Sequence, residues 1–354
     1  MVTGPRMALA SIGPWVAVVG LALAAHFILG PLIPGYYAKV LTDVGIAIVA
    51  AVSLNIVNGF TGQFSIGHAG FMAVGGYVAG TITYYGHFLL WGGPAKMGGF
   101  LGSSELLFAA AAIAGGLGAA AAGYLVGLPS LRLRGDYLAI VTLGFGEIVR
   151  VLIQRTGDVI FVADDVAKAS YWTLATSVGG SLGFNGIPFL TNLFFTWLAV
   201  GTVILLAYRL KASDPGRGFL AIREDEIAAE AMGVPTTRLK VRAFVYSAFF
   251  AGVAGALLAH EVGTTLNPAE LGFQRSFEIV IMVVLGGMGS ISGTTLAAIV
   301  LTVLPQALYE FSDYRMIAYA LLLVVMMLVR PQGLFGVREI WEIGRSRAPK
   351  KVAT

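Results

Sequence analysis

The 354-residue chain has no cysteine, which excludes disulfides and thiolate metal sites. Its four histidines, His26, His68, His87 and His260, are scattered, with no pair at ligand spacing, so no metal chemistry is indicated. Charge is scarce as well, Asp, Glu, Lys and Arg together making up 12% of the residues. No Gly-x-x-x-x-Gly-Lys-Ser/Thr phosphate loop occurs, and no nucleophile with a base or metal cluster stands out, which argues against an enzyme. What remains is apolar. Hydrophobic residues are 57% of the chain and the mean hydropathy is +0.82, beyond what an ordinary soluble globule shows. The composition is that of an all-α polytopic membrane protein, and at about 20 residues per span plus connections, about eight to eleven helices fit.

Apolar runs predict spans over residues 15–30, 39–58, 59–80, 106–128, 137–155, 192–210, 241–260, 276–287, 294–308 and 315–329. Two of them are unusual. Residues 59–80 are dense in glycine, and residues 276–287 are short and run into Gly286-Gly-Met-Gly-Ser-Ile-Ser-Gly293. Glycine costs about 1 kcal/mol against alanine inside a helix, so both read as broken or closely packed helices. Gly76 with Gly80, and Gly123 with Gly127, make small-xxx-small pairs suited to tight helix contact.

Cations cluster at Arg132 and Arg134, at seven positions between residues 209 and 242, and in the tail from Arg330. Ten spans place all three clusters on one side, so both termini are expected in the cytoplasm and residues 156–189 outside. Positive charge gathered in loops is the mark of membrane topology, and no nucleic-acid partner is indicated. A single membrane domain over residues 1–354 is expected, with a cytoplasmic loop at 212–238 and a cytoplasmic tail at 330–354.

Residues 209–242 hold 12 of the 42 acidic and basic residues. Within them, Asp214 and Pro215 read as an N-cap and first helical position, and Gly233 with Pro235 as a stop. The predicted short helix puts Leu220, Ile227, Ala231 and Val234 on one face, flanked by Phe219 and Ile222. Arg223, Glu224, Asp225, Glu226 and Glu230 crowd the rest. Such an amphipathic helix either faces water or docks in a partner's groove.

Polar residues at membrane depth are functional candidates. Asn55, Ser65 and His68 lie on or beside the first glycine-rich segment, where unwound backbone is tolerated only if it lines protein or a cavity. Glu147 lies within a span, three residues before Arg150, as either a pathway carboxylate or half of a structural pair. In an ion-coupled carrier or channel, Glu147, Asp43 or Glu278 would be the proton or ion sites.

Three stretches together resemble one family: residues 53–71, residues 131–150 with Arg134-Gly-Asp-Tyr137 and Phe145-Gly-Glu-Ile-Val-Arg150, and residues 286–293. They are similar to the branched-chain amino acid permeases of bacterial ABC importers, specifically the LivM-type subunit, and the likeness runs from about residue 39 to 336. It implies the importer permease fold in the bacterial cytoplasmic membrane. It also implies a heterodimer with a paired permease, two ATP-binding subunits that hold ATP and Mg, and an extracytoplasmic solute-binding protein. The loop helix would be the coupling helix seated in the ATPase, with Arg223, Glu224, Asp225, Glu226, Ala228, Ala229 and Gly233 at the contact. Ala228-Ala-x-x-x-Gly233 matches the core of that motif, but the usual glutamate position holds Ile227, with Glu226 one residue earlier. The implied cargo is leucine, isoleucine or valine, with selectivity residing in the binding protein.

Overall fold

Beyond Asp43 the helix Gly35–Asn55 (α2) carries no charged side chain, and from Val44 onward it is buried on every face. A helix apolar all round belongs inside a bundle, and α2 is the central element here. In this computed structural model the described residues are 5–93, 97–130, 136–261 and 265–308, with residues 320, 321, 324, 325, 328, 329, 333, 334, 336, 339 and 340 beyond them. Among them the chain is helical, with two isolated β-bridges and no strand.

α1 (Pro5–Ala24) ends in a π-helical turn, Ala25–Leu29, and packs on the periphery against α8 (Leu193–Ala212). α2 also ends in a π-helical turn, Ile56–Phe60. A non-helical link over residues 61–67 then leads to α3 (His68–Trp91). α4 (Ser103–Ser130) and α5 (Asp136–Gln154) follow. Residues 156–189 form a cap with two short helices, α6 (Ala163–Lys168) and α7 (Tyr171–Thr176). This cap is fastened by the Tyr84 hydroxyl, which donates to the Ile160 carbonyl at 3.2 Å, and by that of Tyr85, which donates to the Ser177 carbonyl.

After α8 the charged segment contains α9 (Asp214–Glu224) and α10 (Glu226–Ala231), and α11 (Thr236–Ala259) returns across the bundle. α12 (Phe273–Gly286) is a helix of 14 residues, and α13 (Ile291–Ala307) follows the Gly287–Ser290 turn. Gly287 and Gly289 both have positive φ, 103° and 89°, a backbone that side chains other than glycine resist.

Among the described residues six helices are long and apolar enough to cross a membrane: Ile12–Leu32, Gly35–Phe60, Ser103–Pro129, Tyr137–Gln154, Leu193–Ala212 and Thr236–Ala259. The expected ten rest in addition on α3, α12, α13 and residues 315–329. Most of 315–329 lies outside the described residues, as do Arg132, Arg134 and residues 341–354. The span read over 59–80 begins later than expected. Its first part is the π turn and link, and the helix proper runs on to Trp91, where Gly92 at φ 75° caps it.

Glycine density serves close packing of α3, α4 and α11. A Cβ on Gly115 would meet the Gly75 carbonyl at 2.5 Å, one on Gly252 the Gly115 carbonyl at 2.8 Å, and one on Gly76 the Gly255 carbonyl at 2.8 Å. Backbones this close gain van der Waals contact where the hydrophobic effect between helices is absent.

Candidate functional site

The charged segment is two helices and not one. Ser213, not Asp214, is the N-cap of α9, its hydroxyl accepting from the Gly216 N–H at 3.3 Å, and Asp214 and Pro215 sit in the first turn. Asp225 then breaks the helix. Its carboxylate accepts from the N–H groups of Ile227 and Ala228 at 2.9 and 3.0 Å and starts α10. The break resets the helical register, so the expected apolar face does not form. Gly216, Phe219, Ile222 and Ala229 are the buried residues of the two helices, whereas Ile227 is 65% exposed and Ala231 is exposed. Gly233, at φ 83° with open space around it, is required by its backbone and not by packing.

The seven residues expected at a partner contact divide accordingly. Glu224, Asp225, Ala228 and Gly233 are exposed, next to Ile227 and Met232. Ala229 is buried, and Glu226 pairs with the nearly buried Lys240 at 2.6 Å. Arg223 points into the protein, donating from Nη1 to the Gly59 carbonyl at 2.9 Å and to the Met288 carbonyl at 3.3 Å. One side chain of α9 therefore holds both glycine-rich breaks.

Further side chains complete this junction. Asn55 accepts from the Gly289 N–H at 2.8 Å and donates to the Ser290 carbonyl at 3.0 Å, so it ties the end of α2 to the turn before α13. Lys211, at the end of α8, donates to the Gly289 carbonyl at 2.7 Å and lies over the Phe60 ring at 5.7 Å. It also pairs with Glu339, whose carboxylate accepts from the N–H groups of Ile291 and Ser292, both at 3.1 Å. Burial alone would raise the Glu339 carboxyl, but the bonds from Lys211, Ser292 and Ile291 hold it below its ordinary value. Lys211 before α9 and Arg223 near its end thus grip the same turn.

Ser65 and His68 belong to the first break. Asn58 exchanges hydrogen bonds with the Ser65 backbone at 3.1 and 3.2 Å, and Ile66 N–H donates to the Thr142 hydroxyl at 3.1 Å. His68 is 2% exposed and bonds Ser53 Oγ through Nε2 at 2.9 Å. Because the Ser53 hydroxyl donates to the Ala50 carbonyl at 2.8 Å, Nε2 carries the hydrogen. Glu147 stands apart from these three. It pairs with Arg150 at 2.7 Å and accepts from the Phe273 N–H at 3.2 Å, at the positive end of α12. Asn55, Ser65, His68 and Glu147 line neither of the two cavities described next.

At the end of α2 remote from Gly59, a cavity of about 450 Å³ is bounded by Lys39, Asp43, Glu261, Glu270, Arg275 and Glu278. A second, of about 370 Å³, shares Asp43, Arg275 and Glu278 and continues past Ala47, Met282 and Leu301. Lys39 pairs with Glu261 at 2.7 Å and Arg275 with Glu278 at 3.2 Å. Burial and a hydrogen bond with Asp43 push the Glu261 carboxyl up to about 7, against the opposing pull of Lys39. Among the described residues no three His, Asp or Glu side chains stand where they could share a metal ion.

Residues 36–330 match the family described as branched-chain amino acid transport system, permease component. The chain belongs to that family. The high-affinity branched-chain amino acid transport permease LivM of Escherichia coli is 36% identical and that of Salmonella typhimurium 35%, each over 94% of this chain and 79% of the relative. The LivH permease of Salmonella typhimurium is 27% identical over 83% of this chain and 92% of its own length. No solved structure matches. The chain is a multi-pass membrane permease of the LivM type and a transport subunit. α1 precedes the region that defines the family, in keeping with its place at the rim of the bundle.

Arg223 as a link into the bundle, Lys211 and Glu339 were not singled out from the sequence. Arg223 was expected at the ATPase contact and Lys211 read as a topology marker, and nothing in its spacing set Glu339 apart within the tail.

Proposed function

We propose that this chain forms half of the translocation pathway of an ATP-driven importer of branched-chain amino acids in the bacterial cytoplasmic membrane. Both termini and the α9–α10 segment face the cytoplasm. Its partners are a second, related permease, two ATP-binding subunits that hold ATP and Mg, and an extracytoplasmic solute-binding protein that delivers leucine, isoleucine or valine. Glu224, Asp225, Ala228 and Gly233, with Ile227 and Met232, present the surface to the ATPase. Glu226 and Ala229 hold that surface in place from behind, and Arg223 carries its movement inward.

The observation that supports this reading best is the reach of Arg223 from α9 to the carbonyls of Gly59 and Met288. A docked ATPase that shifts α9 would pull directly on both broken helices, and such breaks are the places where a bundle can switch between two packings. Asn55, Ser65 and His68 shape the breaks that border the pathway, and Glu147 anchors α12 beside it. An ion-coupled carrier has no use for a water-facing helix wired to both breaks.

The test is uptake of radiolabelled leucine into proteoliposomes containing this chain, the paired permease, the two ATPases and the binding protein. Uptake that requires ATP and all the partners supports the reading. Uptake by the permeases alone under a proton or sodium gradient overturns it.

A further inference from the structure

The junction around Arg223 leaves the opposite end of α2 unexplained, and charged side chains of both signs gather at that end. Lys39 and Gly59 are roughly 20 residues apart on α2, or about 30 Å, the thickness of a bilayer core. If the Gly59 end faces the cytoplasm, the two adjoining cavities, which share Asp43, Arg275 and Glu278, lie toward the other side, where a delivered solute would arrive. This inference rests on the transport reading above and names the site at which that transport begins.

The cavities differ in chemistry in a way that matches one kind of molecule. The upper one holds both signs of charge on three elements: Lys39 and Asp43 from α2, Glu261 and Glu270 from the connection after α11, and Arg275 and Glu278 from α12. The lower one begins at the shared Asp43, Arg275 and Glu278 and is walled by Ala47, Met282, Leu301 and Pro305, with Thr302 and Gln306 beside them. Ala47 is one helical turn below Asp43, about 6 Å deeper along α2.

We propose that these cavities form the receiving site for a zwitterionic amino acid with an aliphatic side chain. The ammonium lies between Asp43 and Glu278, the carboxylate faces Arg275 or Lys39, and the side chain rests on Ala47, Met282 and Leu301. The charge balance favours this arrangement. Carboxyl groups and cations both line the upper cavity, so each charge of a zwitterion meets a group of opposite sign there. The Arg275–Glu278 pair, about a third exposed on each side, can exchange for a ligand's own charges at little cost.

The absence of cysteine allows a direct test. Thr302→Cys places one thiol in the lower cavity, and its reaction with a small methanethiosulfonate reagent is followed by mass on this chain within the assembled complex. Leucine at millimolar concentration is expected to slow the modification several-fold. Leucinamide, which lacks the carboxylate, and 4-methylpentanoate, which lacks the ammonium, leave it unchanged. A thiol at the exposed Tyr171, read in parallel, is unaffected by all three. In the same assay Asp43→Asn and Glu278→Gln, both isosteric, raise the leucine concentration for half-maximal protection by about ten- to a hundredfold. The proposal is overturned if a complex that imports leucine shows no protection at Thr302→Cys. It is equally overturned if either half-analogue protects as well as leucine. A complex that fails to import leucine at all, with its native sequence, contradicts instead the transport reading on which the proposal rests.

Discussion

Nζ of Lys211 and Oε1 of Glu339 lie 2.6 Å apart, with the Glu339 side chain 3% exposed and Lys211 21% exposed. The pair joins the end of α8 to the start of α13 across more than a hundred residues of chain. Glu339→Ala removes the charged partner of Lys211 and the acceptor of two N–H groups of α13 at once. The expected loss is about 3 kcal/mol, the lower range for breaking a buried pair. Thermal denaturation in detergent should show it, and the double variant Lys211→Met with Glu339→Gln should recover part of the loss. A Glu339→Ala protein as stable as the parent would remove this pair from the account.

Two carboxyl groups outside the spans predict opposite pH trends. Glu339 is held below its ordinary value, so its contribution is present above the unfolded value of 4.5 and is lost as the pH falls through the folded one. Glu261, raised to about 7, favours the fold when protonated, and that contribution declines as the pH rises from 4.5 to about 7. Lys39 and Asp43 face Glu261 directly, and Glu270, Arg275 and Glu278 share its cavity. Melting curves between pH 4 and pH 8 should flatten in the upper range for Glu261→Gln and in the acid range for Glu339→Gln. Parallel curves for both variants and the parent would contradict these assignments.

Gly59 and Gly144 should respond oppositely to alanine. A Cβ at Gly59 would strike Asn55 Oδ1 and the Gly289 backbone, and overpacking of this kind costs about 1–3 kcal/mol. Gly144, inside α5, has nothing within 4 Å of the added atom. Gly144→Ala should therefore stabilise by up to about 1 kcal/mol through helix propensity. Reversal of that order in melting experiments would mean that the contact between the two breaks is drawn wrongly.

On the α9–α10 surface, Met232 is 84% exposed and Ile227 65%, and neither contributes to the buried core. Met232→Asp and Ile227→Asp should leave the melting temperature of the permease nearly unchanged, as surface substitutions stay within about 0.5 kcal/mol. Co-purification of the ATPases should fall sharply. Asp225→Ala, which removes the cap from Ile227 and Ala228, should cost about 1 kcal/mol locally and weaken the same association. Undiminished co-purification with all three variants would take the docking face elsewhere.

Much of the helical fold was legible in the sequence because apolar runs are local signals. The breaks at Gly59 and Gly286–Gly289 were visible for the same reason, since dense glycine within an apolar run marks an interrupted helix or a close backbone contact. Long-range partners were not legible. Asn55 read as a pathway residue, yet its amide is engaged by Gly289 and Ser290, more than 230 positions away. Arg223 read as a residue of the ATPase contact, and only the fold brings Gly59 and Met288 beneath it. The single-helix reading of residues 216–233 failed at Asp225, whose carboxylate competes for backbone N–H groups and starts a new helix. Lys39, Asp43 and Glu261 come from segments over 200 residues apart, so their common cavity has no sequence signature.

The claim that most depends on the structure is that Arg223 transmits ATPase movement to the two breaks. Arg223→Gln keeps the side chain polar but removes its charge and shortens its reach to Gly59 and Met288. The decisive measurement is the number of leucine molecules imported per ATP hydrolysed in proteoliposomes holding the complete complex. The account predicts that ATPase association and hydrolysis persist while leucine per ATP falls about tenfold, within the usual range of coupling between sites. An unchanged ratio in the Arg223→Gln complex would contradict it.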